Sequence, residues 1–146
     1  MTVRLFKANG SVHIEFYAKD ASVEFSFDEP VALGTDGVLI PYTPGIAAPF
    51  LGLIKKTIAT TDSDYAEETR VPVEVGNYDS EYIFDATTTA AAATDVGEYC
   101  DYVEATMSVN VGATAQNDIY VTKFISTALV VGKWARKVAS ITTTLE

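Results

Sequence analysis

The first candidate for chemistry is the stretch DSDYAEE, which begins at Asp62 and lies between two runs rich in Val, Ile and Thr. Clustered carboxylates are the ligands that calcium prefers in proteins. An EF-hand loop has a glycine at its sixth position, whereas the sixth residue counted from Asp62 is Glu67 and the stretch contains no glycine. The sequence therefore favours a polar turn between two strands over a metal site.

The chain has one histidine, His13, and one cysteine, Cys100. A catalytic Cys–His pair needs an activated nucleophile and a group that orients the base, and nothing in the sequence around Cys100 marks a nucleophile. Transition-metal sites need several His or Cys ligands, and GLIKKT lacks the first half of a phosphate-binding loop. We predict that His13 and Cys100 are structural and that the protein is not an enzyme and uses no metal or cofactor.

Alternation of polar and apolar residues is the dominant pattern of the elements that would position these groups. SVHIEFY places Val12, Ile14 and Phe16 on one face, and SVEFSF repeats this pattern with Val23, Phe25 and Phe27. The one helix candidate is TTTAAAATDVGEY, for which a loop with a single turn is an equal alternative. Further strands are predicted at GVLIPY, FLGLIKKTIA, VPVEV, EYIFDA, YVEATMSVNV, DIYVTKFIS and ALVVGKW. The pattern predicts an all-β fold, a small β-barrel or β-sandwich with at most one short helix.

Length and composition predict one domain that spans residues 1–146. The chain is 48% hydrophobic and 21% charged, which is typical of a globular protein with a real core. The N-terminus lacks the apolar run of a signal peptide, and no run is long enough to span a membrane. We therefore expect a soluble protein, made in a cytoplasm, with no membrane partner.

The net charge of −10 is unevenly distributed along the chain. Residues 62–118 contain thirteen acids and one base, Arg70, whereas the remainder has a net charge of +2. This distribution suits an acidic face in water and a near-neutral face against a partner, although a simple solvated acidic surface explains it as well. Nucleic acid is not an expected partner, because the chain lacks clustered Lys and Arg.

A series of motifs lies between residues 45 and 134. It consists of a Gly-x-x-x-Lys-Thr strand, a Thr-Asp-x-Asp-Tyr-Ala turn, a Val-Pro-Val strand, an acidic Gly-Tyr turn and a closing strand that ends near Gly-Lys. The corresponding residues are Gly52, Lys56 and Thr57, then 61–66, 71–73 and 97–99, and finally Gly132 and Lys133. This series resembles small head proteins of tailed bacteriophages, of the decoration or cement type.

The resemblance implies a β-tulip-like fold and a structural virion protein, made in the host cytoplasm and located on the outer surface of the capsid. Such a protein binds across the seams between major capsid subunits and stabilises the shell against internal genome pressure. Its expected partners are the major capsid protein and neighbouring copies of itself. In the turn, we expect Asp62 and Asp64 to accept hydrogen bonds from backbone N–H groups, and Tyr65 to pack its ring inward with its hydroxyl at the rim.

The residues predicted to face the shell are seven of the nine basic side chains outside the acidic region, together with the single tryptophan. Trp134 is the predicted anchor, because aromatic residues beside Lys or Arg are typical interface hot spots; the alternative is that it closes the end of the barrel. Arms are predicted at residues 1–10 and 136–146, although residues 135–142 could instead form a last strand. The predicted shell-facing charges are Arg4, Lys7, Lys55, Lys56, Lys133, Arg136 and Lys137.

Two other functions fit an all-β domain. A carbohydrate-binding module, displayed on the phage for adhesion to the host surface, needs exposed aromatic side chains in line on one face. The alternation instead predicts a core position for most phenylalanines. A hydrolase needs a nucleophile and a base in one cleft, and the single His13 disfavours the common designs. The phenylalanines assigned largely to the core are Phe6, Phe16, Phe25, Phe27, Phe84 and Phe124.

Overall fold

The computed structural model of the chain describes residues 3–7, 12–45, 48–67, 69–75 and 80–135. Within these ranges the protein is built from eleven strands in two antiparallel sheets, which confirms the all-β prediction. The strands are β1 Arg4–Lys7, β2 His13–Ala18, β3 Pro30–Leu33, β4 Leu39–Pro41, β5 Phe50–Ile54, β6 Arg70–Val75, β7 Glu81–Asp85, β8 Tyr99–Val103, β9 Ser108–Asn110, β10 Ile119–Ser126 and β11 Leu129–Trp134.

One sheet has six strands in the order β1-β7-β11-β10-β8-β9, and the other has five in the order β2-β6-β5-β3-β4. Both sheets curl, because single bridges join Ala86 to Val109 in the first and Lys19 to Leu39 in the second. Neither sheet closes into a full ladder around a barrel, so the domain is a sandwich of two curled sheets and not a closed barrel.

The first core lies between the two sheets. Ala32 of β3 is opposite both Ile40 and Phe50, so these three residues share the face of the five-stranded sheet that packs on the six-stranded sheet. Trp134 of β11 lies in the centre of this core and is 2% exposed. The prediction that Trp134 is a surface anchor is therefore wrong, because its indole is enclosed by apolar side chains from both sheets.

A second core lies on the opposite face of the five-stranded sheet, where Val31, Leu39 and Val73 are fully buried. Two loop residues, Phe25 and Ile58, cover it and exchange both backbone hydrogen bonds of a single bridge, at 3.0 and 2.8 Å. The strand predicted at SVEFSF is wrong in extent, because only its Phe25 forms a β-bridge, the single bridge to Ile58.

Two strands were missed, and two further strand predictions need correction. β1 and β3 were not predicted, and the strand predicted at FLGLIKKTIA ends at Ile54. The run YVEATMSVNV is two strands, β8 and β9, because a 3-10 turn at Glu104–Thr106 and a left-handed Met107 (φ 49°) interrupt it. The helix candidate is a single 3-10 turn, Ala93–Asp95, which is the alternative that the sequence analysis left open.

The predicted arms have different outcomes. Residues 4–7 of the first arm form β1, an edge strand paired with β7, and Val3 is fully buried. The prediction of a flexible arm is therefore wrong for residues 3–7, because Val3 packs into the first core. The second arm, 136–146, lies outside the described residues. Among the described segments, no helix has the length and hydropathy that crossing a membrane requires.

Two glycines of the motif set have a structural role. A Cβ atom on Gly52 would collide with the carbonyl oxygen of Glu74 in the neighbouring strand, and one on Gly132 would lie 2.6 Å from the side chain of Ile119. Both glycines therefore allow adjacent strands to approach closely, and substitution would force the ladders apart.

Candidate docking surfaces

The DSDY stretch forms a tight turn. The carboxylate of Asp62 accepts the N–H of Ala59 at 2.8 Å, and the Asp62 carbonyl accepts the N–H of Tyr65 at 3.1 Å. These contacts confirm the turn role predicted for Asp62, and the half-buried Tyr65 packs against the second core as expected. Asp64 makes a contact that was not predicted, since its carboxylate accepts a hydrogen bond from the Lys56 ammonium at 2.6 Å. That hydrogen bond is the main reason that the pKa of Asp64 is lowered.

A buried lysine, Lys19, holds the same turn from the inside. Its side chain is fully buried, and its ammonium donates to the carbonyl oxygens of Tyr65 at 2.9 Å, Glu67 at 2.7 Å and Asp20 at 3.0 Å. Sequence reasoning missed this residue, because a lone lysine at the end of a strand is normally exposed. Tyr65 and Glu67 are 46 and 48 positions away from Lys19 in the chain.

The acidic turn does not form a metal site among the described residues, where no three His, Cys, Asp or Glu side chains gather into a group that could hold an ion. A shallow cleft of about 420 Å³ beside the turn is lined by Lys56, Thr57, Asp62, Ser63 and Asp64. Both carboxylates that line it are already engaged in the contacts described above. The turn is therefore a structural element of the domain.

The histidine and the cysteine are on different sheets. His13 lies on β2, and its ring Nε2 is 3.0 Å from the carboxylate of Glu15. The carboxylate of Glu15 also accepts a hydrogen bond from the Tyr17 hydroxyl at 2.6 Å. This hydrogen bond is the main cause of the lowered pKa of Glu15. Cys100 lies on β8 within the first core, where burial raises the pKa of its thiol to about 12. A thiol with so high a pKa is a poor nucleophile at neutral pH.

The predicted shell-facing charges do not form one cluster. Lys55 is half-buried and pairs with Asp28 and, at 3.6 Å, with Glu74. Lys55 is thus part of the fold, and Lys56 is paired with Asp64 in the turn. Arg4, Lys7 and Lys133 lie on the six-stranded sheet, on the opposite side of the first core from these two lysines. Arg136 and Lys137 lie outside the described residues.

Several large apolar side chains are exposed, which corrects the assignment of most phenylalanines to the core. Phe25 and Phe84 are buried as predicted, whereas the other four phenylalanines are 37 to 56% exposed. The sequence does not indicate which face of a strand is covered by the rest of the domain. The exposed set is Phe6, Ile14, Phe16, Phe27, Val96, Tyr99, Phe124 and Ile125.

The first exposed surface is the β1 patch, which consists of Arg4, Phe6 and Lys7 on the edge strand of the six-stranded sheet. Leu5 is opposite Tyr82 and Lys7 is opposite Glu81, so Phe6 is the extra residue of a β-bulge. A bulge re-aims the side chain it contains, and Phe6 is 44% exposed between two exposed basic residues. The patch combines an aromatic ring with positive charge in a protein that is acidic as a whole.

The second surface is the β2 edge, residues 13–18 at the margin of the five-stranded sheet. Ile14 is opposite Glu74, and Phe16 is opposite Pro72, so the two apolar side chains share one face of the sheet. That face packs on the six-stranded sheet further along, but Ile14 and Phe16 are 48% and 56% exposed. Among the described strands β2 forms a ladder with β6 alone, and its other side meets β4 at one end, where Lys19 bridges Leu39.

The backbone of the β2 edge points outward at the same two residues. The carbonyl of Pro72 accepts the N–H of Lys55 at 2.8 Å, so the backbone of Pro72 faces β5 and turns away from Phe16. In an antiparallel ladder the two residues of such a pair both direct N–H and C=O away from each other. Phe16, and by the same alternation Ile14, therefore direct their backbone groups to the side of β2 that faces away from β6. The guanidinium of Arg70 covers one of them, the Phe16 carbonyl, at 2.9 Å.

A third exposed aromatic group lies on the outer face of the six-stranded sheet. Tyr99 of β8 is opposite Tyr120 of β10, and Tyr120 is opposite Lys133 of β11. The two tyrosine rings are 5.1 Å apart between centroids, and Tyr99 is 47% exposed. This pair forms a small aromatic platform.

Compared with known proteins, the chain matches no family model and no curated protein sequence.

Proposed function

We propose that the protein is a structural docking protein that decorates the outside of an assembled bacteriophage capsid and stabilises it. The observation that carries the proposal is the β1 patch. An aromatic ring displaced outward by a bulge and flanked by Arg4 and Lys7 has the composition typical of interface hot spots, where aromatic residues and Arg are enriched. The motif resemblance between residues 45 and 134 is the reason for proposing a phage capsid as the partner.

The engagement of the reactive groups supports a binding function over catalysis. Asp62 and Asp64 hold a turn, Lys19 holds the same turn from within, and the Cys100 thiol is buried in the first core. These groups serve the stability of the domain. A rigid domain with exposed apolar side chains at its edges is suited to adding contacts across a seam between other subunits.

The mechanism requires no covalent step. On a shell each copy binds one of many repeated sites, so even a modest affinity per copy gives high occupancy when the free protein exceeds its dissociation constant. The free energy of binding then adds to that of the lattice, because the decorated state is favoured only in the assembled shell. The acidic region of the chain keeps unbound copies apart in solution.

Co-sedimentation with undecorated capsids tests this function. We expect the wild-type protein to pellet with capsids. The double change of Arg4→Glu and Phe6→Ser should weaken the affinity for capsids at least about tenfold and so lower the pelleted fraction. The matched control is Lys123→Glu with Phe124→Ser, which likewise reverses one positive charge and removes one phenyl ring, at exposed residues of β10. A wild-type protein that stays in the supernatant at high concentration would contradict the proposal.

The aromatic platform favours a second candidate function, binding of a surface carbohydrate. Sugar rings stack on exposed aromatic faces, and Tyr99 with Tyr120 offers such a face. The platform is a single pair and not a line of rings, so it supports the second function less strongly than the β1 patch supports the first. Retention on immobilised host polysaccharide that is lost on Tyr99→Ala, without capsid pelleting, would favour this alternative.

A further inference from the structure

The aromatic platform belongs to a transverse row of side chains on the outer face of the six-stranded sheet. Tyr120 is opposite Tyr99 on one side and opposite Lys133 on the other. Their neighbours along the strands, such as Cys100 and Trp134, belong to the first core, so the three side chains of the row point away from it. Two strand spacings separate Tyr99 from Lys133, a distance of about 10 Å. A basic side chain therefore stands directly beside the aromatic pair.

The same row continues with charged residues toward the β1 patch. Gly132 is opposite Tyr82, so the next residue, Lys133, lies beside Glu81, which is itself opposite Lys7. Glu81 is 8% exposed, whereas Lys7 is exposed. The row therefore presents more positive than negative charge to the solvent beyond its aromatic end.

The outer face of this sheet is the basic side of an acidic protein. Val131 is two residues from Lys133 and so shares its face, and Val131 is opposite both Lys123 and Ile83. Ile83 is in turn opposite Arg4. The chain has a net charge of −10, so this grouping of bases is a local feature of the fold. The described basic residues of the six-stranded sheet, all on its outer face, are Arg4, Lys7, Lys123 and Lys133.

We propose that this row binds an acidic polysaccharide, with sugar rings on the Tyr99–Tyr120 pair and the carboxylate of a uronic acid at Lys133. The inference rests on the second function proposed above, carbohydrate binding, and names the class of sugar. The tyrosine rings provide apolar surface for a sugar ring of any kind. The Lys133 ammonium is a charged group that only donates hydrogen bonds, and a carboxylate satisfies it better than a neutral hydroxyl does.

The acids beside the row set the orientation of the ligand. Glu98 and Asp101 lie on either side of Tyr99 in the sequence, at the end of the row away from Lys133. The carboxylate of Asp101 accepts the backbone N–H of Gln116 at 2.7 Å, so it serves the neighbouring loop. A ligand carboxylate is repelled by this acidic end and attracted toward β11, which places it at Lys133.

Retention of the full chain on immobilised uronic-acid polysaccharides tests the inference. The probes are polygalacturonate, alginate and hyaluronate, each used as the acid and again after its carboxyl groups are reduced to neutral alcohols. We expect retention on at least one acidic polymer and at least about tenfold weaker binding to its reduced form. The net charge of −10 repels polyanions, so unspecific adsorption does not produce this result.

Two results would overturn the inference, and they differ in what they mean for the function beneath it. Equal retention on the acidic and the reduced forms would support carbohydrate binding and overturn the preference for acidic sugars. Retention on none of the polymers in either form would overturn both.

Substitutions of Lys133 test its role at the row. Lys133→Gln should weaken binding to the acidic polymer at least about tenfold and leave binding to the reduced form unchanged, whereas Lys133→Arg keeps the charge and should keep the preference. Lys56→Gln is the matched control, because it removes the same charge on the other side of the first core. Tyr99→Ala should weaken retention on both forms. An affinity for the acidic polymer that Lys133→Gln leaves unchanged would overturn the proposal.

Discussion

The indole of Trp134 stacks on the ring of Phe50 across the interface between the two sheets, with centroids 4.4 Å apart and planes inclined by 10°. Trp134 ends β11 of the six-stranded sheet, and Phe50 begins β5 of the five-stranded sheet. Tyr42, Phe84 and Tyr102 approach the same indole edge-on at 4.8 to 5.5 Å. This aromatic cluster joins the sheets, so the domain depends on it for stability.

Trp134→Ala should destabilise the domain severely. Removing a fully buried indole deletes its contacts and leaves a cavity, at a cost of roughly 3–5 kcal/mol in the free energy of unfolding. Denaturant unfolding followed by circular dichroism measures this cost. As a control, Phe16→Ala removes a ring that is 56% exposed and should cost far less. A Trp134→Ala protein of normal stability would show that the indole is not part of the core.

The sequence predicted strand positions better than strand faces. Alternation located β2 correctly, yet it assigned Ile14 and Phe16 to the core. Both faces of β2 contain apolar residues, since Tyr17 on the other face packs against the second core. Which face is covered depends on how far the opposing sheet extends, and no local pattern contains that information. At Phe6 a β-bulge shifts the alternation by one residue, which a strict period of two cannot anticipate.

The turn at Asp62 was predictable and the lysine beneath it was not. Asp followed by Ser and Asp is local turn chemistry, because a short carboxylate reaches the N–H of a residue three positions away. Lys19 is buried because the carbonyls of Tyr65 and Glu67 converge on it from a distant part of the chain. Such a contact becomes visible only once the fold brings both segments together.

Asp62 and Asp64 should differ in their effect on stability. Asp62→Ala removes the acceptor of the Ala59 N–H and should cost about 1 kcal/mol. Asp64→Ala removes an ion pair with the exposed Lys56, and its effect should be the smaller of the two. Thermal unfolding of both variants, with and without calcium or EDTA, provides the measurement. Neither calcium nor EDTA should change Tm, and a clear shift with EDTA would instead indicate a metal in the turn.

The pH dependence of Asp64 follows from its lowered pKa. The Lys56 ammonium favours the charged carboxylate in the folded state, so Asp64 stabilises the fold above its unfolded pKa. That contribution is lost as the pH falls through the folded pKa. Lys56→Gln should remove it, and the difference in Tm between wild type and this variant should shrink on acidification. A difference that grows on acidification would have the wrong sign for this ion pair.

Lys19→Met should destabilise the acidic turn in particular. Methionine fills a similar volume but leaves the carbonyls of Tyr65 and Glu67 without their charged donor, at a cost of roughly 3 kcal/mol. Hydrogen exchange should show faster exchange at the N–H of Ser22, which donates to the Tyr65 carbonyl at 2.8 Å. Lys123→Met, at an exposed position of β10, is the control and should leave both stability and exchange unchanged. Equal effects of the two substitutions would contradict a structural role for Lys19.

Glu29 should give the opposite pH dependence to Asp64. Burial is the main cause of the raised pKa of Glu29. The hydrogen bond that its carboxylate accepts from the Ser26 N–H at 2.9 Å lowers the pKa in part, and the charge of Glu104 raises it by a smaller amount. A raised pKa means that the folded state binds the proton more tightly than the unfolded state. The charged form therefore costs stability at neutral pH, and this cost is relieved as the pH falls through the folded pKa.

Glu29→Gln should raise Tm at neutral pH, because glutamine keeps the Oε1 acceptor for the Ser26 N–H and removes the partly buried charge. The gain over wild type should shrink as the pH falls and Glu29 becomes protonated in the wild-type protein. Tm measured by calorimetry between about pH 4 and pH 8, a range that covers the ordinary carboxyl pKa, tests both statements. Glu24→Gln is the matched control, since Glu24 and Glu29 line one pocket beside Phe25 and Ile58, and Glu24 is exposed. If Glu29→Gln lowered Tm at neutral pH while Glu24→Gln had no effect, the carboxylate would be stabilising and the sign assigned here to its burial would be wrong.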